Sequence, residues 1–167
     1  TNECNQCPIG TYQPLYDANN NDSCIECDPG YYSSTMGSIE CIECPLGTYA
    51  SSSGSSGCLP CDLGHKCLEG QVDPIPCEEG YFAEGAGQSE CYSCPAGTIA
   101  PGTGNSVCIE CNPGTVSKSS GLGECTNCIA GEFAYSSASF ACESCIPGTY
   151  AKDEAQSECN LCLAGSA

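Results

Sequence analysis

The cysteines of this chain occur in pairs, and the regular spacing of the pairs constrains the fold more than any other feature. The C-x-x-C pairs lie at 4/7, 24/27, 41/44, 58/61, 91/94, 108/111, 125/128, 142/145 and 159/162. Most pairs follow one another at seventeen residues, and two lone cysteines, Cys67 and Cys77, lie in the one wide interval. Such a period indicates a tandem array of small structural repeats.

The density of cysteine indicates both the compartment and the source of stability. Cysteine supplies 20 of the 167 residues, which is typical of secreted chains stabilised by disulfides. Leu, Ile, Val and Phe together supply only 23 residues, too few to build one large core. We therefore expect an extracellular or cell-surface protein of a small disulfide-rich class, mostly β-hairpins and loops. The predicted arrangement is an elongated tandem-repeat rod with no single hydrophobic core.

The charge of the chain excludes one class of partner. Asp and Glu number 21 against three Lys or Arg residues, so the formal net charge is −18. Nucleic-acid binding requires clustered Lys and Arg to neutralise phosphates, and no such cluster exists here. Apolar runs are only a few residues long, so we expect no membrane span in this segment.

Each repeat carries further residues at fixed distances from the second cysteine of a pair. Glycine lies three residues after that cysteine, and an aromatic or β-branched residue follows two positions later in every repeat except the truncated one, where Lys66 stands. Another glycine or an alanine lies ten residues after the cysteine in most repeats. This pattern predicts a short strand, a turn at the second glycine and a returning strand.

Two places depart from the period. The loop from Cys7 to Cys24 is three residues longer than the others, and the segment from Cys61 to Cys77 follows no regular unit. We therefore divide the chain into N-terminal repeats at 1–61, an irregular insert at 62–77 and C-terminal repeats at 78–167. We expect the last group to continue beyond the chain.

The motif C-P-x-G-T-Y, followed by a loop of small residues and C-x-x-C, is nearly complete in several repeats. It reads CPIGTY at 7–12, CPLGTY at 44–49, CPAGT at 94–98 and CIPGTY at 145–150. The chain thus resembles the ephrin-receptor-like cysteine-rich repeats, also called GCC2/GCC3 repeats. It is similar too to the first loops of tumour-necrosis-factor-receptor-like modules, a resemblance that implies an elongated series of small hairpins. Arrays of this kind are similar to those of large extracellular surface or flagellar-hair proteins.

The constant loop of fourteen residues suggests that the second cysteine of each pair bonds the first cysteine of the next. A competing scheme, which pairs cysteines across alternate units, stays open at this point. Cys4 and Cys162 are left over; their partners would lie in a continuing array or in another chain. The first scheme predicts Cys7–Cys24, Cys27–Cys41, Cys44–Cys58, Cys61–Cys67, Cys77–Cys91, Cys94–Cys108, Cys111–Cys125, Cys128–Cys142 and Cys145–Cys159.

Metal binding has weaker support in the sequence. C-x-x-C pairs also occur in zinc sites, but zinc needs only a few pairs and would leave free thiolates in a secreted chain. A calcium loop is suggested by the spacing of Asp17, Asn19, Asn21 and Asp28, although Asp22 occupies the position where glycine is expected. We favour a solvated turn there, with no metal and no cofactor.

Two exposed segments are candidates for glycosylation. Asn21-Asp22-Ser23 is an N-glycosylation sequon in the lengthened loop. The serines at 51–53, 55 and 56 are candidates for O-linked sugar, although small residues also suit a hairpin tip.

Catalytic residues are nearly absent from the sequence. His65 is the single histidine, and the glutamates of the C-x-E-C sequences, Glu26, Glu43 and Glu110, recur with the repeat instead of marking one pocket. We therefore predict that the chain is not an enzyme.

Two classes of function are compatible with these features. The first is an extracellular structural or scaffold protein, acting as a stalk, spacer or subunit of a surface filament, coat or flagellar hair. The alternative is the ectodomain of a ligand-binding receptor or adhesin, with recognition at the two irregular segments. The expected partners are other copies of the chain or extracellular proteins.

Overall fold

The computed structural model describes residues 6–14 and 24–163 of the chain. In these residues the regular structure consists of two-residue β-strands, without a helix. The strands are β1 (Thr11–Tyr12), β2 (Ile25–Glu26), β3 (Tyr31–Tyr32), β4 (Ile42–Glu43), β5 (Thr48–Tyr49), β6 (Leu59–Pro60), β7 (His65–Lys66), β8 (Ile75–Pro76), β9 (Tyr81–Phe82), β10 (Tyr92–Ser93), β11 (Thr98–Ile99), β12 (Ile109–Glu110), β13 (Thr115–Val116), β14 (Thr126–Asn127), β15 (Glu132–Phe133), β16 (Glu143–Ser144), β17 (Thr149–Tyr150) and β18 (Asn160–Leu161).

Each odd-numbered strand pairs with the strand that follows it to form an antiparallel hairpin. In the hairpin of β5 and β6, for example, Thr48 lies opposite Pro60 and Tyr49 opposite Leu59. The first strand always contains the predicted aromatic or β-branched residue, or Lys66 in the one exception. The predicted fold class, a disulfide-rich tandem of β-hairpins, is confirmed.

Every hairpin is tied to a disulfide, which joins the second cysteine of a pair, or the lone Cys77, to a later cysteine. The Cα atoms of the bonded cysteines lie 5.5 Å apart in Cys7–Cys24 and 5.7 Å apart in Cys27–Cys41, distances that suit an unstrained bond. The scheme across alternate units is absent from the described residues. The bonds are Cys7–Cys24, Cys27–Cys41, Cys44–Cys58, Cys61–Cys67, Cys77–Cys91, Cys94–Cys108, Cys111–Cys125, Cys128–Cys142 and Cys145–Cys159.

The chain forms two compact units, and we name each repeat by the half-cystine at which it begins. The first unit comprises Thr1–Pro76 and Gly85–Glu90, and the second comprises Cys77–Glu84 and Cys91–Ala167. Inside each unit, backbone hydrogen bonds connect consecutive repeats at equivalent positions. Between the Cys27 and Cys44 repeats these bonds run from Gly30 N to Ala50 O (2.8 Å), from Ser33 N to Ser55 O (3.1 Å) and from Gly54 N to Cys27 O (2.8 Å).

The buried residues are small and are distributed along the repeats. Apart from Cys145, the half-cystines that begin the repeats are buried, and so is the residue six positions later in most repeats, such as Ala50 or Ser117. In the second unit Val116 is fully buried and packs with Ala134 and with Cys128 of the next repeat's disulfide. Burial therefore joins a strand residue of one repeat to the disulfide of the following repeat.

The segment from Cys61 to Cys77 has the same hairpin as its neighbours, which its cysteine spacing did not indicate. His65 lies opposite Pro76, and Cys67 is buried at the position that Ala50 fills in the preceding repeat. In the other repeats the bonded cysteine comes just before the second strand of the hairpin. Here Cys67, which follows the first strand, forms the bond to Cys61 instead. The division at 61 and 77, the elongated arrangement and the continuation beyond the chain stay predictions.

Candidate functional site

A C-x-x-G sequence forms the turn that starts each hairpin, and in three repeats it is part of the full C-P-x-G-T motif. In the Cys94 repeat, Gly97 has φ +89°, close to the value that the third residue of a type II turn requires. The Thr98 N–H and the Thr98 hydroxyl both donate to the Pro95 carbonyl oxygen, at 3.1 and 2.8 Å. Sequence reasoning found the glycine but missed this role of the threonine. The bond recurs from Thr11 to Pro8, Thr48 to Pro45, Thr115 to Asn112 and Thr149 to Ile146.

Two acidic side chains flank the disulfide of the Cys27 repeat. Asp28 follows Cys27 and Glu40 precedes Cys41, and the Cα atoms of the two bonded cysteines are 5.7 Å apart. The disulfide therefore holds the two carboxyl-bearing residues at the same end of the hairpin. Both are exposed to solvent.

A concavity lies where the Cys7 repeat meets the Cys27 repeat, and we call it the first notch. It has a volume of about 250 Å³ and is lined by Tyr12, Asp28, Tyr31, Glu40 and Cys41. Tyr12 comes from the Cys7 repeat and is half-buried, whereas Tyr31 comes from the Cys27 repeat and is 38% exposed. Two aromatic rings and two carboxylates thus meet in one open depression.

An equivalent concavity in the second unit, the second notch, lies between the Cys128 and Cys145 repeats. It has a volume of about 280 Å³. Phe133 takes the position of Tyr12, Ile146 that of Asp28, and Thr149 that of Tyr31. The backbone of two stacked hairpins therefore forms the notch, and the side chains decide its chemistry. The lining residues are Phe133, Glu143, Ser144, Ile146, Thr149 and Cys159.

The serine-rich tip of the Cys44 hairpin forms a further shallow concavity, of about 320 Å³. The Ser53 hydroxyl donates to Glu26 Oε2 at 2.9 Å, and the Ser55 hydroxyl donates to the Ser52 carbonyl oxygen at 2.7 Å. Ser51, Ser52, Ser53 and Ser56 are exposed. The tip is accessible to an enzyme that attaches sugar, but O-glycosylation stays a prediction.

Several sequence-predicted residues lie outside the described ranges. They are Cys4, the sequon asparagine Asn21, and the calcium candidates Asp17 and Asn19. Of the calcium candidates, only Asp28 is described. Residues 6–14 and 24–163 contain no group of three or more His, Cys, Asp or Glu residues that could hold a metal ion. N-glycosylation and calcium binding stay predictions.

The remaining candidates have simple surroundings. His65 Nδ1 lies 2.9 Å from the Leu63 carbonyl oxygen. Cys162 is exposed, and it is the free cysteine of the described part of the chain. No described helix is long and apolar enough to cross a membrane.

One comparison with known families matches this architecture. Residues 30–67 fit the family model described as "Tyrosine-protein kinase ephrin type A/B receptor-like". The matched range covers the strands of the Cys27 and Cys44 hairpins and the first strand of the Cys61 hairpin, and each described hairpin outside the range also has one disulfide. This match and the nine disulfides of the described residues fit ephrin-receptor-like cysteine-rich repeats.

An ephrin-receptor-like repeat is a disulfide-rich, receptor-like extracellular module. The match ends at Cys67, so the family model covers the first hydrogen-bonding strand of the Cys61 hairpin and its unusual half-cystine. A comparison with curated proteins gives no match.

Proposed function

We propose that these ephrin-receptor-like repeats form a structural scaffold of an extracellular protein. The role is that of a stalk, a spacer or a subunit of a surface filament, coat or flagellar hair. The observation that carries the proposal is the repeated bonding of each hairpin to the next, by the same backbone hydrogen bonds within a unit. A chain in which each repeat is hydrogen-bonded to the next suits a mechanical or spacing role.

The location that we propose is the cell surface or the extracellular space. The nine disulfides support it, because a reducing cytosol would not maintain them. We also propose that the chain has no catalytic activity of its own. The open notches, with volumes of about 250 and 280 Å³, offer no enclosed cleft that excludes water.

The partners that we propose are other copies of the chain or other extracellular proteins. Glycans on Asn21 and on the serine-rich tip would add bulk and solubility at the surface. The net charge of −18 opposes close association of bare copies, so assembly would require cations or specific contacts that outweigh repulsion.

Electron microscopy of the purified native protein tests the filament role. We expect filaments or ordered arrays at high protein concentration, in calcium-free buffer or in calcium chloride. A protein that stays monomeric under both conditions would contradict the filament and coat roles. The spacer role is tested on chains with a globular domain fused at each end. A constant distance between the two domains would support that role even if the copies stay monomeric.

The alternative function is a ligand-binding receptor or adhesin ectodomain. One observation favours it, namely that the first notch is lined by two tyrosines and two acidic residues, whereas the second is lined by one aromatic residue, Phe133, and one acidic residue, Glu143. A scaffold role alone does not require this difference, because both notches arise from the same backbone arrangement.

A further inference from the structure

The first notch combines aromatic faces with negative charge. Tyr12 and Tyr31 line it from consecutive repeats, and Asp28 and Glu40 lie beside them. In the second notch Ile146 and Thr149 replace Asp28 and Tyr31, which leaves one aromatic residue, Phe133, and one acidic residue, Glu143, in the lining. The same concavity therefore has different binding properties in the two units.

The negative charge of the first notch has no basic side chain to balance it nearby in sequence. The chain contains no Lys, Arg or His before His65, whereas Asp28 and Glu40 are held at one end of the Cys27–Cys41 disulfide. Two like charges that line one concavity repel each other, and a cation bound there relieves that repulsion. The charge distribution thus favours a positively charged ligand.

The aromatic rings narrow the kind of cation. The face of a tyrosine ring attracts an ammonium or guanidinium group, and such groups bind rings and carboxylates together. A guanidinium also donates several hydrogen bonds to carboxylate oxygens in one plane. A hydrated divalent metal ion would use oxygen ligands and would gain nothing from the tyrosines.

We propose that the first notch binds an arginine or lysine side chain of another extracellular protein, with arginine preferred. A second copy of this chain suits the notch poorly, because the whole sequence has only three basic residues of these two kinds, all lysines, among 21 acidic ones. The inference is independent of the scaffold role, since a stalk and a receptor could both carry this site.

Nuclear magnetic resonance on the full ¹⁵N-labelled chain tests the proposal, with N-acetyl-L-arginine methylamide as the probe. We expect saturable shifts of the backbone amides of Asp28, Tyr31 and Glu40. The corresponding citrulline compound has the same shape without the charge, and we expect it to produce no shift at these residues. Raising the salt concentration should weaken the arginine effect, because exposed charges are screened.

Variants separate this site from general attraction to an acidic chain. Tyr31→Thr introduces the residue found at the equivalent position of the second notch, Thr149. It should weaken binding of the probe about 2- to 5-fold, the effect of one exposed cation–π contact. Asp28→Asn with Glu40→Gln should weaken it about 5-fold or more. The matched control is Glu143→Gln in the second notch, which also removes negative charge and should leave probe binding unchanged. Retention of all nine disulfides, checked by thiol titration, shows that the variants are folded.

Three results would overturn the proposal. The first is equal shifts with the citrulline compound, which would make charge irrelevant. The second is a loss of affinity in Glu143→Gln as large as that in the double variant, which would indicate diffuse electrostatic attraction. The third is a response of the first notch to calcium chloride but not to the arginine compound, which would assign the site to a metal ion.

Discussion

Gly97 lies so close to Ala138, in the second repeat after its own, that a Cβ atom on Gly97 would overlap the Ala138 carbonyl oxygen. The same relationship joins Gly114 to Ala155 in that unit and Gly10 to Gly54 in the first unit. Each of these repeats therefore contacts the next repeat by hydrogen bonds and the one after it by backbone packing. This contact requires glycine for a reason beyond the turn itself.

Replacing Gly97 by alanine should be more destabilising than replacing Gly131. Both glycines have a left-handed backbone, with φ +89° and +87°, so both variants should lose about 1–2 kcal/mol from the strained conformation. Gly131 has open space around its Cβ position, whereas Gly97→Ala must also displace backbone, which adds roughly 1–3 kcal/mol. Urea unfolding with intact disulfides, monitored by the circular dichroism of the tyrosines, measures the difference in unfolding free energy between the two variants. Equal losses would show that the close approach does not matter.

Replacing Ala138 by glycine should stabilise the protein slightly. Ala138 has φ +57° at the position where other repeats have glycine, for example Gly121. Relief of this strain should exceed the entropy that glycine adds to the unfolded chain, for a gain of up to about 1 kcal/mol. The control, Ala134→Gly, removes a methyl group that is only 2% exposed and should be destabilising. A loss of stability in Ala138→Gly would contradict the prediction.

The Cys61–Cys67 bond should contribute less stability than the regular disulfides. It closes a sequence separation of 6 residues, against 14 for Cys94–Cys108. By loop-closure entropy, replacing both cysteines by alanine should remove about 2 kcal/mol for the short loop and about 3 kcal/mol for the long one. Alanine also suits position 67, since Ala50 fills the equivalent position. Urea unfolding of the two double variants checks the order, and the reverse order would contradict it.

The threonine of the turn motif should stabilise the hairpin through its hydroxyl. Thr98→Val keeps the shape of the side chain but loses the 2.8 Å hydrogen bond to the Pro95 carbonyl oxygen, which should remove about 0.5–1.5 kcal/mol. The control is Thr126→Val, because Thr126 lies exposed in a strand. Thermal unfolding of the two variants compares them. If Thr126→Val were equally destabilising, the turn bond would not be the cause.

Alkylation of the native protein should label Cys162 and leave the eighteen bonded cysteines of the described chain unmodified. Cys162 is exposed and free, while the cysteines that begin most repeats are buried in disulfides. Peptide mapping without reduction would identify both the labelled thiol and the nine crosslinked peptides. Recovery of free thiols at any of the eighteen bonded cysteines, together with bound zinc, would contradict the disulfide scheme.

Much of the hairpin could be inferred from local sequence. The turn before β11 needs a positive φ at Gly97, and only glycine adopts that angle without strain, so its recurrence indicated the turn. The hairpin of β7 and β8 was harder to infer, because its half-cystine moved to position 67. That position is buried by packing between repeats, and the spacing of cysteines along the chain does not report burial.

The candidate site shows the same limit. The sequence pattern indicates only a possible calcium ligand at Asp28 and only a strand residue at Tyr12. Their sequence positions are sixteen residues apart, and stacking of two hairpins brings them into one notch. No local sequence pattern predicts that these two residues line the same notch, since this depends on how one hairpin packs on the next.

The sequence by itself determined the repeating hairpin, because cysteine spacing and turn glycines act within one loop, and it set the acidic charge of the whole surface. Only the tertiary structure decided which residues of neighbouring hairpins meet. Packing placed Gly97 against Ala138 and Tyr12 beside Asp28, since backbone hydrogen bonds between repeats fix the stacking of hairpins. Such contacts depend on distances between residues far apart in the chain, which a repeated motif does not encode.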